Sequence, residues 1–342
     1  MSLRASSVAS ATSVWFPRAR GVELRDEPLP ATAPGEVRVR AIASAISHGT
    51  EMLVYRGEVP ADLALDLPTL RGGFDFPIKY GYASVGRVVE VGAGVESIAT
   101  GALVFVHHPH QNEYVVDADL AFPLPDGVDP EAATLLANLE TATNVVLDAH
   151  PHLGARVVVL GQGVVGLLVT QLLRRAGASL VVAVDPIAMR RELARRRGAH
   201  EAVAPEGALA AVRDLTGGVG ADMAIEASGR PAALAAALDL VAFQGTIVVC
   251  SWYGAKPVAL PLGAAFHRRR LRLVSSQVSN LDPGLAPRWD RARRLAFARS
   301  LLAEADLSRL ITHRFPLAAA ADAYRLVEDH PDETLQVLFT YR

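Results

Sequence analysis

Two hydrophobic rhythms divide this chain. Up to about residue 130, short runs alternate apolar and polar positions, at 13–16, 36–43, 83–91, 103–107 and 113–116. A period of two predicts strands with one buried face. Turn formers punctuate them, as in Pro28-Leu29-Pro30, Pro34-Gly35, Gly92-Ala93-Gly94 and Pro125-Asp126-Gly127. Strands at this spacing predict a compact, barrel-like β domain. From Pro130 the rhythm changes. A helix-compatible stretch at 131–149 precedes largely apolar strands at 156–160, 180–184, 222–226 and 245–250, which alternate with helical segments at 164–176, 187–197 and 231–241. Apolar strands separated by helices predict βαβ units on a parallel sheet covered on both faces. Gly177 and Gly198 fit the left-handed position that ends a helix. Beyond Ser251-Trp252-Tyr253-Gly254 the regularity fades, with helices expected over 289–304 and 318–328 and a last strand at 335–340. The fold class is α/β, a β-rich domain followed by a doubly wound parallel sheet.

The first strand of the second region runs into Gly161-Gln162-Gly163-Val164-Val165-Gly166, and the next strand ends in Asp185. Strand, glycine-rich turn, helix, strand and acid in this order make a dinucleotide site. Gly161 allows the tight turn, Gly163 lets the backbone approach a pyrophosphate, and Gly166 lets helix and sheet pack closely. Val164 and Val165 present backbone N–H groups to phosphate at the helix start. Asp185 accepts hydrogen bonds from the adenosine ribose and repels a 2′-phosphate, which predicts NAD(H) over NADP(H). By the rule that ligands lie outside the carboxyl ends of parallel strands, Ser228 borders the ribose, and Ser251 and Trp252 reach the nicotinamide.

The chain has 342 residues, 51% apolar and 20% charged, with a formal net charge of −2. That length suits two domains. The balanced charge implies neither a nucleic-acid nor a membrane partner, and no apolar run approaches the ~20 residues of a membrane span. The Ser/Ala-rich segment 1–12 reads as a short disordered lead-in without the apolar stretch of a signal peptide, and a cytoplasmic location is expected. Lysine occurs only at Lys79 and Lys256, and cysteine only at Cys250. One cysteine excludes intrachain disulfides and any multi-cysteine zinc site.

In order along the chain stand Pro28-Leu29-Pro30 with Gly35-Glu36-Val37, Gly49-Thr50-Glu51 with Gly57-x-x-Pro60, Gly81-x-x-x-x-Gly86, Glu113-Tyr114-Val115, the glycine-rich turn, Asp185 and Leu310-Ile311-Thr312-His313. Together they resemble the medium-chain dehydrogenase/reductase family over essentially the whole chain. The resemblance implies a GroES-like catalytic domain at 1–140, a Rossmann domain binding NAD(H) at 141–275, and a segment at 276–342 that completes the catalytic domain. It departs from the zinc-dependent members. Their Cys-x-[Ser/Thr]-[Asp/Glu] phrase has His48 at the cysteine, their Gly-His-Glu phrase reads Gly81-Tyr82-Ala83, and the third ligand position falls near Leu136. The lobe that holds a structural zinc is missing, because 107–112 leads directly into Glu113-Tyr114. A catalytic zinc needs three protein ligands and an open position, so no zinc is expected. The phrases Ala45-Ile46-Ser47-His48-Gly49-Thr50-Glu51 and Lys79-Tyr80-Gly81-Tyr82 are similar to a zinc-less branch that includes hydroxyethyl-bacteriochlorophyllide dehydrogenases.

Without a metal, a side chain must accept the alcohol proton as hydride leaves, a contribution of about 10²–10⁴-fold. The candidates are His48, as an imidazole base; Thr50, as a relay hydroxyl; and Tyr82, as a proton donor whose pKa Lys79 could lower. His110 reads as a pocket-lining residue. On the cofactor side the family resemblance adds Arg190 near the ribose, Ser276 and Val278 at the carboxamide, and Glu140 facing the nicotinamide. The reading is a zinc-independent, NAD(H)-dependent alcohol dehydrogenase or ketone reductase. Its alternatives are an NADPH-dependent quinone or enoyl reductase and a non-catalytic dinucleotide-binding protein. The partner is a small alcohol or carbonyl substrate. The resemblance implies a homodimer, joined edge to edge around 246–262.

Overall fold

The computed structural model of this protein describes residues 9–341, apart from 61, 66, 68 and 71. The first eight residues of the expected lead-in lie outside the described residues. The elements along the chain are β1 (Ser10–Trp15), β2 (Glu23–Pro28), β3 (Glu36–Ala45), α1 (Thr50–Arg56), β4 (Ser84–Val91), β5 (Leu103–Val106), β6 (Glu113–Asp117), β7 (Ala121–Pro123), α2 (Pro130–Ala133), α3 (Leu136–Ala149), β8 (Arg156–Leu160), α4 (Val164–Arg175), β9 (Leu180–Val184), α5 (Ala188–Arg196), β10 (Glu201–Val203), α6 (Ala208–Leu215), β11 (Ala221–Glu226), α7 (Pro231–Leu240), β12 (Val241–Val249), β13 (Arg272–Ser275), α8 (Arg291–Ser300), β14 (Ile311–Pro316), α9 (Ala320–Asp329) and β15 (Gln336–Thr340). None of the described helices is long and apolar enough to cross a membrane.

The chain divides into two compact units. One comprises the chain through Ala137 together with Asp306 onward, and the other is Asn138–Ala305. Residues 276–305, assigned from the sequence to the closing segment, therefore pack with the parallel-sheet unit.

In the first unit, a mixed sheet runs β14-β15-β3-β4-β5-β7, and β6 also pairs with β3. β3 places Val37, Val39, Ala41 and Ala43 on one buried face, as its alternation predicts. A second core gathers Phe16, Tyr55, Tyr324 and Phe339. Phe16 meets Tyr324 edge-on at 5.0 Å, and Tyr55 stacks on Tyr324 at 5.3 Å. Each such aromatic contact adds about 0.5–1.5 kcal/mol beyond burial. β2 escaped the sequence reading because Glu23-Leu24-Arg25-Asp26-Glu27-Pro28 is charged and mostly solvent-facing. Its partner β1 and cross-strand contacts such as Thr12 Oγ1 to Asp26 hold it instead.

The second unit is a six-stranded, all-parallel sheet in the order β10-β9-β8-β11-β12-β13. Numbered from β8, this is the 3-2-1-4-5-6 order of a Rossmann fold, whose reversal point lies between β8 and β11. Val157, Val158 and Val159 are fully buried, as are Val181 and Val182. Each such side chain contributes about 1.5–3 kcal/mol by leaving water. The expected helix at 131–149 breaks into α2 and α3. The Thr134 hydroxyl donates to the Glu131 carbonyl at 2.6 Å, and Leu135 N reaches only Ala132 O, so the chain tightens there. The expected dimer edge at 246–262 begins inside β12, which is paired on both sides, to β11 and to β13. The sheet edge on that side is β13, because one further strand extends it beyond the predicted limit, and the opposite edge is β10.

Candidate active site

The candidate cofactor site is at the reversal point of the parallel sheet. Gly161 follows β8 with φ +91°, and a Cβ there would stand 2.7 Å from Ser228. At Gly166 a Cβ would stand 1.9 Å from the Gly161 carbonyl oxygen. Both glycines are therefore demanded by the protein's own packing. Gly163 is different. It has an ordinary φ of −68°, and a Cβ there would meet nothing within 4 Å. Nothing inside the protein requires a glycine at this position, and it starts a helix with no side-chain cap. An open, uncapped helix start with Val164 buried and Val165 half-buried fits a phosphate ligand.

Asp185 is buried at the end of β9. One carboxylate oxygen accepts from Gln162 N at 2.7 Å and the other from Ile187 N at 2.8 Å, which fixes the acid against the glycine-rich turn. Gln162 is buried beneath it, held by Val159 O and the Thr170 hydroxyl. Arg190 is half-buried; its neighbour Arg191 clamps the backbone carbonyls of Asp185 and Pro186, both at 2.8 Å.

Glu226, which the sequence reading passed over, organises the other strand ends. It ends β11 and is fully buried. Oε1 accepts from Ser228 N at 2.7 Å, Ser228 Oγ at 2.5 Å and Gly229 N at 3.1 Å; Oε2 accepts from Tyr253 OH at 2.7 Å. Gly229 N also donates to Ser251 Oγ at 2.8 Å. Burial and the Glu226 charge push the Tyr253 phenol and the Cys250 thiol upward. An acid directly after the apolar Met223-Ala224-Ile225 of β11, just as Asp185 follows the β9 run, was the available signal. Trp252 and Val278 are half-buried. Ser276 N continues the sheet to Val249 O at 2.8 Å, and its hydroxyl meets Asn144 at 3.3 Å. Glu140, expected to face the nicotinamide, is instead paired with the buried Arg294 at 2.9 Å, which also binds Asn144 at 2.6 Å. A buried carboxylate needs such a partner.

In the other unit the polar residues split into two sets. His48, Thr50 and Tyr82 are half-buried, and the Tyr82 hydroxyl donates to Ser47 Oγ at 2.5 Å. Burial, aided by the Glu51 charge, raises the Tyr82 pKa above its usual 10, while hydrogen bonds with Ser47 and Thr50 partly offset this. Lys79 does not lower it. Its ammonium is held by Glu27 at 2.9 Å and Gln111 at 3.1 Å. The second set is enclosed. Glu51, His110, Ser44 and Tyr324 have no exposed surface. His110 Nε2 meets Glu51 Oε1 at 2.8 Å, and Nδ1 meets Ser44 Oγ at 2.6 Å; Ser44 meets Tyr341 OH at 2.7 Å. Tyr324 OH donates to Glu51 Oε1, and Glu51 Oε2 accepts from Ser47 N at 3.0 Å. The Ser44-His110-Glu51 order resembles a hydrolytic triad, but no substrate reaches a serine closed to solvent. His110 is thus not the pocket-lining residue expected. Through Glu51 it steadies the Ser47 turn that receives the Tyr82 hydroxyl.

A family model described as zinc-binding dehydrogenase matches residues 164–296. D-Guloside 3-dehydrogenase of Escherichia coli K12 is 32% identical over 330 residues, which span 90% of this chain and 93% of that protein. The chain belongs to the zinc-binding dehydrogenase family. A short chain alcohol dehydrogenase of E. coli CFT073, solved with NADH, shares the fold at a TM-score of 0.79 and 22% identity, over 97% of this chain and 99% of that one. A Sinorhizobium meliloti 1021 protein assigned as a zinc-binding dehydrogenase and solved with NADP shares it at 0.78 and 22%, over 97% and 99%. The zinc in the family's name does not fit the donors here. Tyr82 and Ala83 stand at the Gly-His-Glu position, and Leu136 is fully buried in α3. The carboxylate of Glu51 and the imidazole of His110 are spent on each other. Among the described residues, no group of three or more His, Cys, Asp or Glu could hold a metal ion.

Proposed function

We propose that this family member is a zinc-independent dehydrogenase that moves hydride between NAD(H) and a small alcohol or ketone. The observation that carries the reading is Gly163, a glycine that the protein's own packing leaves unexplained, at the uncapped start of α4 beside a buried acid. Residues Gly161, Gly163, Val164, Val165 and Gly166 would hold the pyrophosphate. Asp185, with Arg190, would receive the adenosine ribose, and its charge supports NAD(H) over the phosphorylated form. Ser228, Ser251, Trp252, Ser276 and Val278 would border the ribose and nicotinamide. When bound, the cofactor supplies or accepts the hydride. The chain's own task is the proton. Tyr82, kept protonated by burial, donates to the carbonyl oxygen during reduction and draws on Ser47, with Thr50 and His48 as the neighbouring relay. The relative named for dehydrogenation of a guloside at its 3 position supports an alcohol as substrate. A homodimer through the free β13 edge, beside the exposed Leu262 and Leu273, fits the same reading.

Titration of the purified protein with NADH and NADPH, with metal content measured on the same sample, tests the proposal. NADH binding at least about tenfold tighter, a difference of ~1.4 kcal/mol, without stoichiometric zinc is expected. Tighter NADPH binding favours the quinone or enoyl reductase, and a stoichiometric metal whose removal abolishes turnover overturns the metal-free chemistry. Tight NADH binding without turnover of any alcohol, ketone or quinone leaves a binding protein.

A further inference from the structure

Glu226 is a buried carboxylate at the carboxyl end of β11, beside the reversal point of the parallel sheet. Its hydrogen-bond donors are two backbone N–H groups and the hydroxyls of Ser228 and Tyr253. This donor set matches a carboxylate, which only accepts. Among the described residues no lysine, arginine or histidine pairs with it. Among the described residues, the other buried acids have a cationic or imidazole partner, as Glu140 has Arg294 and Glu51 has His110, or bind only backbone N–H groups, as Asp185 does. Glu226 therefore leaves an uncompensated negative charge where ligands of such sheets bind. Through Ser228 it also touches the dinucleotide turn, because Ser228 packs directly on Gly161.

We propose that Glu226 is a positioning residue for the nicotinamide cofactor whose charge also selects its oxidation state, favouring the cationic ring of NAD⁺ over the neutral ring of NADH. This rests on the cofactor reading above. A buried charge is weakly screened, so its field reaches a ligand ring without direct contact. Holding the Ser228 turn would raise affinity for both forms equally; the charge alone would separate them.

The test is the ratio of dissociation constants, Kd(NAD⁺)/Kd(NADH), from calorimetry and NADH fluorescence. Glu226→Gln removes the charge with little change of shape, and the ratio is expected to rise by about threefold or more. Tyr253→Phe removes a donor but keeps the charge, and should leave the ratio within about twofold of wild type even if both affinities fall. Tyr253→Lys places a cation beside an intact Glu226, and should raise the ratio even if Glu226→Gln yields no folded protein. A ratio unchanged in Glu226→Gln, or in Tyr253→Lys where that variant must stand alone, overturns the inference and leaves the cofactor reading intact. A wild-type protein that binds neither form overturns both.

Discussion

The glycine-rich turn of the parallel-sheet unit and the Glu51–His110 group of the other unit are both dense in polar atoms, and they use them in opposite ways. At the turn the protein leaves its chemistry open. Gly163 has no neighbour where its Cβ would stand, and α4 begins without a side-chain cap. In the Glu51–His110 group, Ser44, Tyr324 and Tyr341 complete the hydrogen bonding from within the protein. Unfilled polar capacity at a surface marks a ligand, whereas filled capacity in a core marks support. The difference matters because the enclosed group contains the more conspicuous catalytic residue types.

The strongest way to break this comparison is to exchange the roles it assigns. Tyr82→Phe should lower kcat/KM by about 10²–10⁴-fold with little change in unfolding temperature. His110→Phe should do the reverse, costing about 3 kcal/mol or more by urea unfolding, because it strips a donor from a buried carboxylate. A His110 variant that stays stable but loses turnover would show that the enclosed group does the chemistry.

The glycines sharpen the contrast within one turn. Gly166→Ala forces a Cβ to within 1.9 Å of the Gly161 carbonyl and should destabilise the fold. The expected cost is about 1–3 kcal/mol. Gly163→Ala should leave the fold unchanged while weakening NADH binding by about tenfold or more. Equal loss of stability in both variants would mean that Gly163 serves the fold.

The smallest effect concerns acid sensitivity of the closed unit. His108 is buried and stacked on Tyr114 at 3.7 Å, and burial lowers its pKa from 6.5 to about 3. The unfolded chain binds this proton below pH 6.5 and the folded chain does not until near pH 3. Stability from neutral His108 is thus complete above 6.5 and falls as pH drops below it. Urea unfolding should show a loss of about 2 kcal/mol from this group between pH 7.5 and 5. His108→Phe, which keeps the stacking, should remove that part of the slope. An unchanged slope would place the acid sensitivity elsewhere.

The parallel-sheet unit was far more legible than the other. Its strands are mostly apolar and its ligand turn is a local phrase, so β8, β9, β11 and the Gly161-x-Gly163-x-x-Gly166 turn could be read within short windows. Glu226 was missed because, beyond the adjacent Ser228 and Gly229, its other carboxylate oxygen is held by Tyr253, 27 positions on. The other unit hid more. Glu51 finds His110 and Tyr324 at separations of 59 and 273 residues, and Ser44 finds Tyr341 at 297. No periodicity links such positions.

By itself the sequence determined the alternation of strand and helix and the dinucleotide phrase, because period, turn chemistry and steric demand act over a few neighbouring residues. Only the tertiary structure decided which polar side chains face outward and which are consumed inside. That choice depends on burial and on partners supplied by remote segments, and a carboxylate or imidazole is the same letter in either place.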